Sequence, residues 1–373
     1  MSTEERIRLV FIPQIKPVGV TSERSPKMLE MLTRLYDVQG VPAGRLNAFV
    51  FDQGKGKLAR YLLFPVDIAL NTWRTLRALR ESGGEVVFAE GSYFSFAAGL
   101  AARLRRTPLI WDNHGHIVTF AQVQGKSSFF TRGNVLFERM LEALSSKVLV
   151  VNERDKADYI ALGFRPDKLV VVPTCADMGA VHRGMRPREE AKRQLGISLE
   201  SKVVLFVGTL KYGPNVEAAS YLGDILPRVR QNHPETKVYV AGSGPAPSAP
   251  PEGMTYLGFV DDLYLWLSAS DVGVAPMWRG LGILTKVIDS MSATRATVVS
   301  PLALDGIPEL AHGNNCMVGA DREDFERQLS LLLEDEELRE RIAGSGRDLI
   351  SKRYSCEVVQ SSLSQLVSSL VRK

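Results

Sequence analysis

A chain of 373 residues, 45% hydrophobic and 24% charged, has the composition of a folded globular protein and too much length for one ordinary core, which excludes disorder and fibrous repeats. The formal charge of +4 is only mildly basic, so it permits attraction to phosphate or anionic lipid and does not call for nucleic acid. Apolar runs such as Val148–Val151 fall far short of the ~20 residues a membrane span needs, and the acidic start Met1-Ser-Thr-Glu-Glu-Arg is unlike a signal peptide, so a cytoplasmic location is expected.

In chain order, short β-rich runs alternate with helix-like segments, the pattern of parallel sheets wrapped by helices. The strands expected in the first half are Arg8–Ile12, Asn47–Phe51, Val86–Ala89, Leu109–Trp111, Val148–Val151 and Leu169–Val172. Helices are expected between them at Pro26–Leu35, Val66–Glu81, Phe94–Arg105, Arg132–Leu144 and Glu153–Leu162. Apolar alternation lapses in the charged stretch Val181–Leu195. A second series follows, with strands at Val203–Val207, Lys237–Ala241, Thr255–Leu257, Val272–Ala275, Thr297–Val299 and Cys316–Val318. Its helices are expected at Asn215–Ile225, Leu263–Ser268, Lys286–Ser292, Ile307–Ala311, Arg322–Leu333 and Glu336–Ile350.

The expected architecture is α/β, with two doubly wound domains at 1–180 and 201–352, a linker at 181–200 and a C-terminal helix within 353–373. That helix either completes the second domain or crosses back to the first. Open α/β sheets bind ligands beyond the carboxyl ends of their strands, so the function is expected in those loops, in a cleft between the domains. Cys175, Cys316 and Cys356 are scattered and odd in number, without metal-type spacing, and are expected to be reduced thiols.

Four strand ends carry candidate chemistry. Asp112, His114 and His116 follow the strand Leu109–Trp111, where a histidine can position or deprotonate a hydroxyl; the plainer reading is polar loop residues satisfied by backbone. Gly208 closes Val203–Val207 and lets a ligand approach backbone, with Lys211 nearby as a mobile charge or a solvated surface lysine. Gly242 and Gly244 begin a dinucleotide-type fingerprint, but Pro247 stands where the third glycine belongs, which disfavours NAD. The run Trp278–Asp289 holds Gly280 and Gly282 and leads into a helix, forming a candidate anion site. Lys286 and Asp289 are three apart and so share a face, fit for pyrophosphate and ribose or for an ordinary surface pair.

Taken in series, Phe206-Val-Gly-Thr-Leu with Pro214-Asn215, Ala241-Gly-Ser-Gly-Pro, Leu257-Gly-Phe-Val-Asp-Asp-Leu, Ala269–Pro276, Gly280–Asp289 and Asp305-Gly-Ile resemble the retaining glycosyltransferases of the GT-B fold, group 1 or family 4-like. The resemblance implies two facing Rossmann-like domains and transfer of a sugar from a nucleotide-sugar donor, UDP- or GDP-linked, with anomeric configuration retained and no metal or other cofactor required. By the same resemblance, Gly208 faces the donor, Gly258, Phe259 and Val260 surround the base, Lys211 or Lys286 neutralises the diphosphate, and Asp289 holds the ribose. His114 matches the family's Asp-x-His segment near the transferred sugar.

Two departures stand out. Leu281 occupies the first acidic position of the family's paired-glutamate motif, while Ile283 and Leu284 replace the Thr-Arg of a related subgroup. The usual Gly-Gly loop after the first strand is missing from Pro13–Val20; Ser22–Lys27 is expected to replace it, with Arg24 or Ser25 facing the cleft. The acceptor, a glycan, a lipid-linked species or a small molecule, is left open. A noncatalytic GT-B scaffold or partner subunit is the alternative; a GT-B epimerase or phosphorylase is a third reading, with no Schiff-base lysine apparent for pyridoxal phosphate. Peripheral membrane contact is a separate reading, carried by Arg103, Arg105, Arg106 and the apolar-basic stretch Arg60–Arg80, against the plainer one of a core face with a solvated rim.

Overall fold

The computed structural model describes residues 6–13, 24–41, 57–113, 118, 128–280 and 283–371; the expected strand Asn47–Phe51 lies outside them. The chain divides into two compact units, Met1–Pro173 with Val359–Lys373, and Thr174–Val358.

The first unit holds a six-stranded parallel sheet of β1 (Arg8–Ile12), β2 (Asp37–Gly40), β3 (Val86–Glu90), β4 (Leu109–Asp112), β5 (Lys147–Val150) and β6 (Leu169–Val171), in the order β2-β1-β3-β4-β5-β6. Its inner strands are mostly apolar because a parallel sheet is covered on both faces, and every residue of β3 and β4 is buried, including the carboxylates Glu90 and Asp112 at their carboxyl ends. Around it run α1 (Arg24–Leu35), α2 (Lys57–Ser82), α3 (Ser92–Arg105), α4 (Ser128–Leu144) and α5 (Glu153–Ala161). Helix α3 packs against both α2 and α4. Small residues permit this: a Cβ at Gly99 would stand 3.0 Å from Leu144 Cβ. Strand β2, Asp-Val-Gln-Gly, was not expected; as an edge strand with exposed ends it needs no apolar alternation.

The second unit holds β7 (Lys202–Val207), β8 (Thr236–Ala241), β9 (Met254–Gly258), β10 (Val272–Ala275), β11 (Ala296–Val299) and β12 (Met317–Val318), again parallel, in the order β12-β11-β10-β7-β8-β9. The direction of strand succession reverses between β7 and β10, the topological position where doubly wound sheets take ligands.

The chain enters this unit at Thr174, ahead of the charged 181–200 stretch. That stretch forms two short helices, Met178–Gly184 and Arg188–Gln194, because its cations find partners on the unit itself. Lys192 Nζ is buried between the carbonyl of Ser201 (2.7 Å) and Asp271 (3.1 Å), and Arg186 reaches Asp262 at 2.9 Å.

Two local expectations are corrected. The helix expected at Ile307–Ala311 lies instead at Leu302–Gly306, since Pro308 pushes Ile307 out of helical backbone. Cys175 and Cys356, expected as reduced thiols, form a disulfide with Cα atoms 4.9 Å apart. A parallel bridge between Ala176 and Ser355 brings these distant segments together, which linear spacing does not reveal. Cys316 is free and buried. The last helix, Cys356–Val371, starts in the second unit, and its residues from Val359 onward belong to the first, with Val359, Leu363 and Val367 buried.

Helix Glu336–Leu349 contains two glycines of opposite kind. An added Cβ meets nothing within 4 Å at Gly344, whereas at Gly346 it meets Asn315 O and Met291 Cε at 3.0 Å. Gly344→Ala is therefore expected to stabilise the protein by about 0.5–1 kcal/mol in thermal or urea unfolding, and Gly346→Ala to give no such gain.

Candidate functional site

In the second unit the turns after β7, β8 and β9 are locked together through backbone. The amide of Gly208 donates to Ala241 O (2.8 Å), that of Gly242 to Gly258 O (2.7 Å), and that of Leu210 to Ser243 O (2.8 Å). A Cβ at Gly242 would lie 2.1 Å from Gly208 O, and one at Gly244 would lie 2.7 Å from the Leu210 backbone carbon. Glycine is thus required here for close approach of one loop to another. Gly258 has φ 70° with open space around its Cβ position, and Phe259 after it is 68% exposed.

Lys286 enters this row from the first turn of helix Thr285–Ser292. Its Nζ donates to Asn215 Oδ1 at 3.0 Å, while Asn215 Nδ2 donates to Thr209 O at 2.9 Å, so one amide ties the lysine to the loop after β7. The same Asn215 side chain lies 2.8 Å from where a Gly208 Cβ would be, which fixes glycine at 208. Lys286 Nζ stands 5.2 Å from the centre of the Phe206 ring. Burial lowers the lysine from 10.5 to about 8, with the Asp289 carboxylate acting in the opposite direction. A half-buried ammonium with a lowered pKa, beside glycine backbone at a switch point, can receive a phosphate group.

The structure thus joins Gly208, Gly242, Gly244, Gly258 and Lys286 in one connected set. Asp289 follows one turn after Lys286, Lys211 is exposed on the loop after β7, and half-buried Val260 follows Phe259. Gly280 is described, with Leu302 Cδ2 3.3 Å from its Cβ position; Leu281 and Gly282 lie outside the described residues. The motif Pro214-Asn215 alone gives Asn215 no role, and no sequence pattern marks Arg279, whose Nε donates to Glu217 at 2.8 Å, or Tyr212, whose Oη has no hydrogen-bond partner among the described residues.

The first unit's strand ends carry a different chemistry. Glu90 and Asp112, register partners at the ends of β3 and β4, are fully buried carboxylates. Arg24 grips Asp112 bidentately, Nη2 to Oδ1 at 2.8 Å and Nε to Oδ2 at 3.1 Å, and Ser25 donates to Glu90. Both residues expected to replace the missing glycine loop are therefore bound to strand-end acids. Beneath them, Asn113 donates to Tyr159 Oη (2.6 Å), which donates to Glu138 (3.1 Å), and Ser92 donates to the other oxygen of that carboxylate (2.6 Å). Burial raises Glu138 to about 7 against these hydrogen bonds. His114 and His116 lie outside the described residues. No group of side chains suited to a metal ion occurs among the described residues, and no helix among them is long and apolar enough to cross a membrane.

Comparison with known proteins agrees with both halves. Residues 201–335 match the family model described as glycosyl transferases group 1, and residues 20–175 match the glycosyl transferase 4-like domain. The phosphatidyl-myo-inositol mannosyltransferase of Mycobacterium tuberculosis is 25% identical over 273 residues, covering 68% of this chain and 67% of that protein. The D-inositol 3-phosphate glycosyltransferase of Corynebacterium efficiens is 28% identical over 250 residues, 60% of this chain and 57% of its own. Among solved structures, Anabaena HepE in complex with UDP and glucose superposes with a TM-score of 0.73 at 15% identity, covering 97% of this chain and all of that one. With the 4-like model on the first unit's sheet and the group 1 model on the second's, each sheet Rossmann-like, the chain resembles the GT-B glycosyltransferases of the group 1 and 4-like type.

Proposed function

We propose that the chain is a retaining glycosyltransferase that takes its sugar from a UDP- or GDP-linked donor bound at the strand ends of the second unit. The observation that carries this reading is Lys286, tied through Asn215 to the loop of Gly208 at the strand ends of the second sheet. In the proposed mechanism Lys286 and the first turn of its helix neutralise the diphosphate as the glycosidic bond breaks, which lowers the barrier by stabilising the leaving group. Lys211 adds a second, mobile charge, Asp289 takes the ribose hydroxyls, and Phe259 and Val260 flank the base.

His114, two residues after Asp112 in the sequence, is proposed to act at the transferred sugar. The acceptor is proposed to be a hydroxyl of a polyol or of a lipid-linked or free glycan; the inositol acceptors in the names of the mycobacterial and corynebacterial relatives favour a polyol.

The test is turnover of UDP- and GDP-hexoses with and without inositol phosphates, following nucleotide release and the anomeric configuration of the product by NMR. Release of one nucleotide with an α-linked product from an α-donor supports the reading. A β-linked product contradicts retention, and absence of both release and donor binding moves the chain to the noncatalytic scaffold. His114→Ala is expected to lower turnover by about 100-fold or more while donor affinity stays within about twofold.

A further inference from the structure

The layer formed by α2, α3 and α4 carries a surface that donor chemistry does not use. Along α2, Val66, Leu70 and Trp73 recur at helical spacing and are 49%, 37% and 56% exposed. Leu136 and Met140 on α4 are 63% and 48% exposed, and Leu104 at the end of α3 is 69% exposed. These belong to one continuous layer. The Tyr93 ring of α3 meets Phe64 of α2 edge-on, and the Phe96 ring of α3 lies 5.0 Å from Phe137 of α4.

The charges on this layer are one-sided. Arg77 and Arg80 on α2, Arg103 and Arg105 on α3, and Arg132 and Arg139 on α4 are exposed, and Arg106 follows α3. Against them, Asp67, Glu138 and Glu142 are buried, so among the described residues of these helices the exposed carboxylate is Glu81, already bonded to Arg77. The Arg77 guanidinium also lies 5.8 Å from the Trp73 ring centre.

We propose that this layer docks on an anionic lipid bilayer, with Trp73, Leu70 and Leu136 entering the headgroup region and the arginines meeting lipid phosphates. Exposed aliphatic groups spaced among arginines suit an interface where apolar tips sink while guanidinium heads stay with phosphate. A nucleic acid would use the arginines and leave the leucines in water. A second copy of this chain, paired face to face, would set arginine against arginine, a like-charge arrangement that opposes association. Bilayer docking requires no particular donor or acceptor, so its failure and failure of the glycosyltransferase reading are separate results.

Flotation of the full chain tests the proposal, using vesicles of phosphatidylcholine alone and with about 30% phosphatidylglycerol. Flotation is expected with the anionic vesicles, and it should fall between about 0.1 M and 1 M salt. A Trp73→Glu, Leu136→Glu variant and an Arg103→Glu, Arg105→Glu, Arg106→Glu variant should each lower partitioning by about tenfold or more with an unchanged melting temperature. The proposal is overturned if the wild type stays unbound on anionic vesicles, or if both folded variants float as well as it does. A concentration-dependent dimer that Trp73→Glu abolishes would likewise overturn it, by assigning the face to a second copy.

Discussion

Replacing Lys286 with alanine is expected to weaken nucleotide-diphosphate affinity by about 10- to 100-fold, the equivalent of losing one or two charge-assisted hydrogen bonds. Turnover should fall further, by about 100- to 1000-fold, because the charge on the leaving diphosphate grows as the bond breaks. The fold should survive: Lys286 is half-buried at the start of a helix, and Asn215 keeps its bond to Thr209 O.

The pH behaviour separates this role from a structural one. In the free protein Lys286 is lowered to about 8 by burial, so a diphosphate meets an ammonium below that pH and an increasing fraction of neutral amine above it. Nucleotide affinity is expected to decline as pH rises through about 8, with proton uptake on binding near that pH. Stability has the opposite sign. Between about 8 and the ordinary lysine value the unfolded chain holds more protons than the folded one, so the contribution of Lys286 to stability rises with pH across that window. Calorimetric titrations and thermal melts from pH 7 to pH 10 check both slopes. Lys286→Met should flatten both, and an unchanged affinity profile in that variant would exclude Lys286 from diphosphate binding.

Gly242→Ala is expected to destabilise the second unit by roughly 3 kcal/mol or more, lowering its melting temperature by about 6–12 °C. The new methyl would stand 2.1 Å from Gly208 O and 2.5 Å from its carbonyl carbon, and both are backbone atoms of a loop already bonded to β8 and Ser243. Neither loop can yield alone, so the strain should spread to Asn215 and Lys286, and nucleotide affinity should fall together with stability. Melting and titration of this variant beside Gly344→Ala, where the space is open, check the claim; equal stability of the two would show that the stacked turns are looser than described.

The strand ends of the second unit were readable because a buried parallel strand that stops at glycine leaves an unmistakable local pattern. Gly208, Gly242, Gly244 and Lys286 are each legible in this way within a few residues of their strand or helix, whereas Gly258 entered through the family resemblance. What joins them is not. Asn215 bridges Thr209 and Lys286 only once the helix folds back over the β7 loop, and nothing in Pro214-Asn215 announces that bond.

The first unit was harder for the same reason. Its network runs through Ser92, Asn113, Glu138 and Tyr159, four residues on four segments, each ordinary in its local context. Apolar alternation lapses over Val181–Leu195, which reads as a domain boundary, yet Lys192 is buried there against Asp271, a pairing between residues far apart in the chain. The Cys175–Cys356 pairing depends on a bridge between segments 181 residues apart, and β2 lacks the alternation that marks a strand because it lies at a sheet edge.

Titration of the wild type and Lys286→Ala with UDP and with GDP at pH 7, followed by calorimetry, tests the central claim most directly. The account predicts saturable binding of one nucleotide by the wild type, weakened by about tenfold or more in the variant. Failure of both nucleotides to bind the folded wild type, or equal affinity in the two proteins, would contradict it.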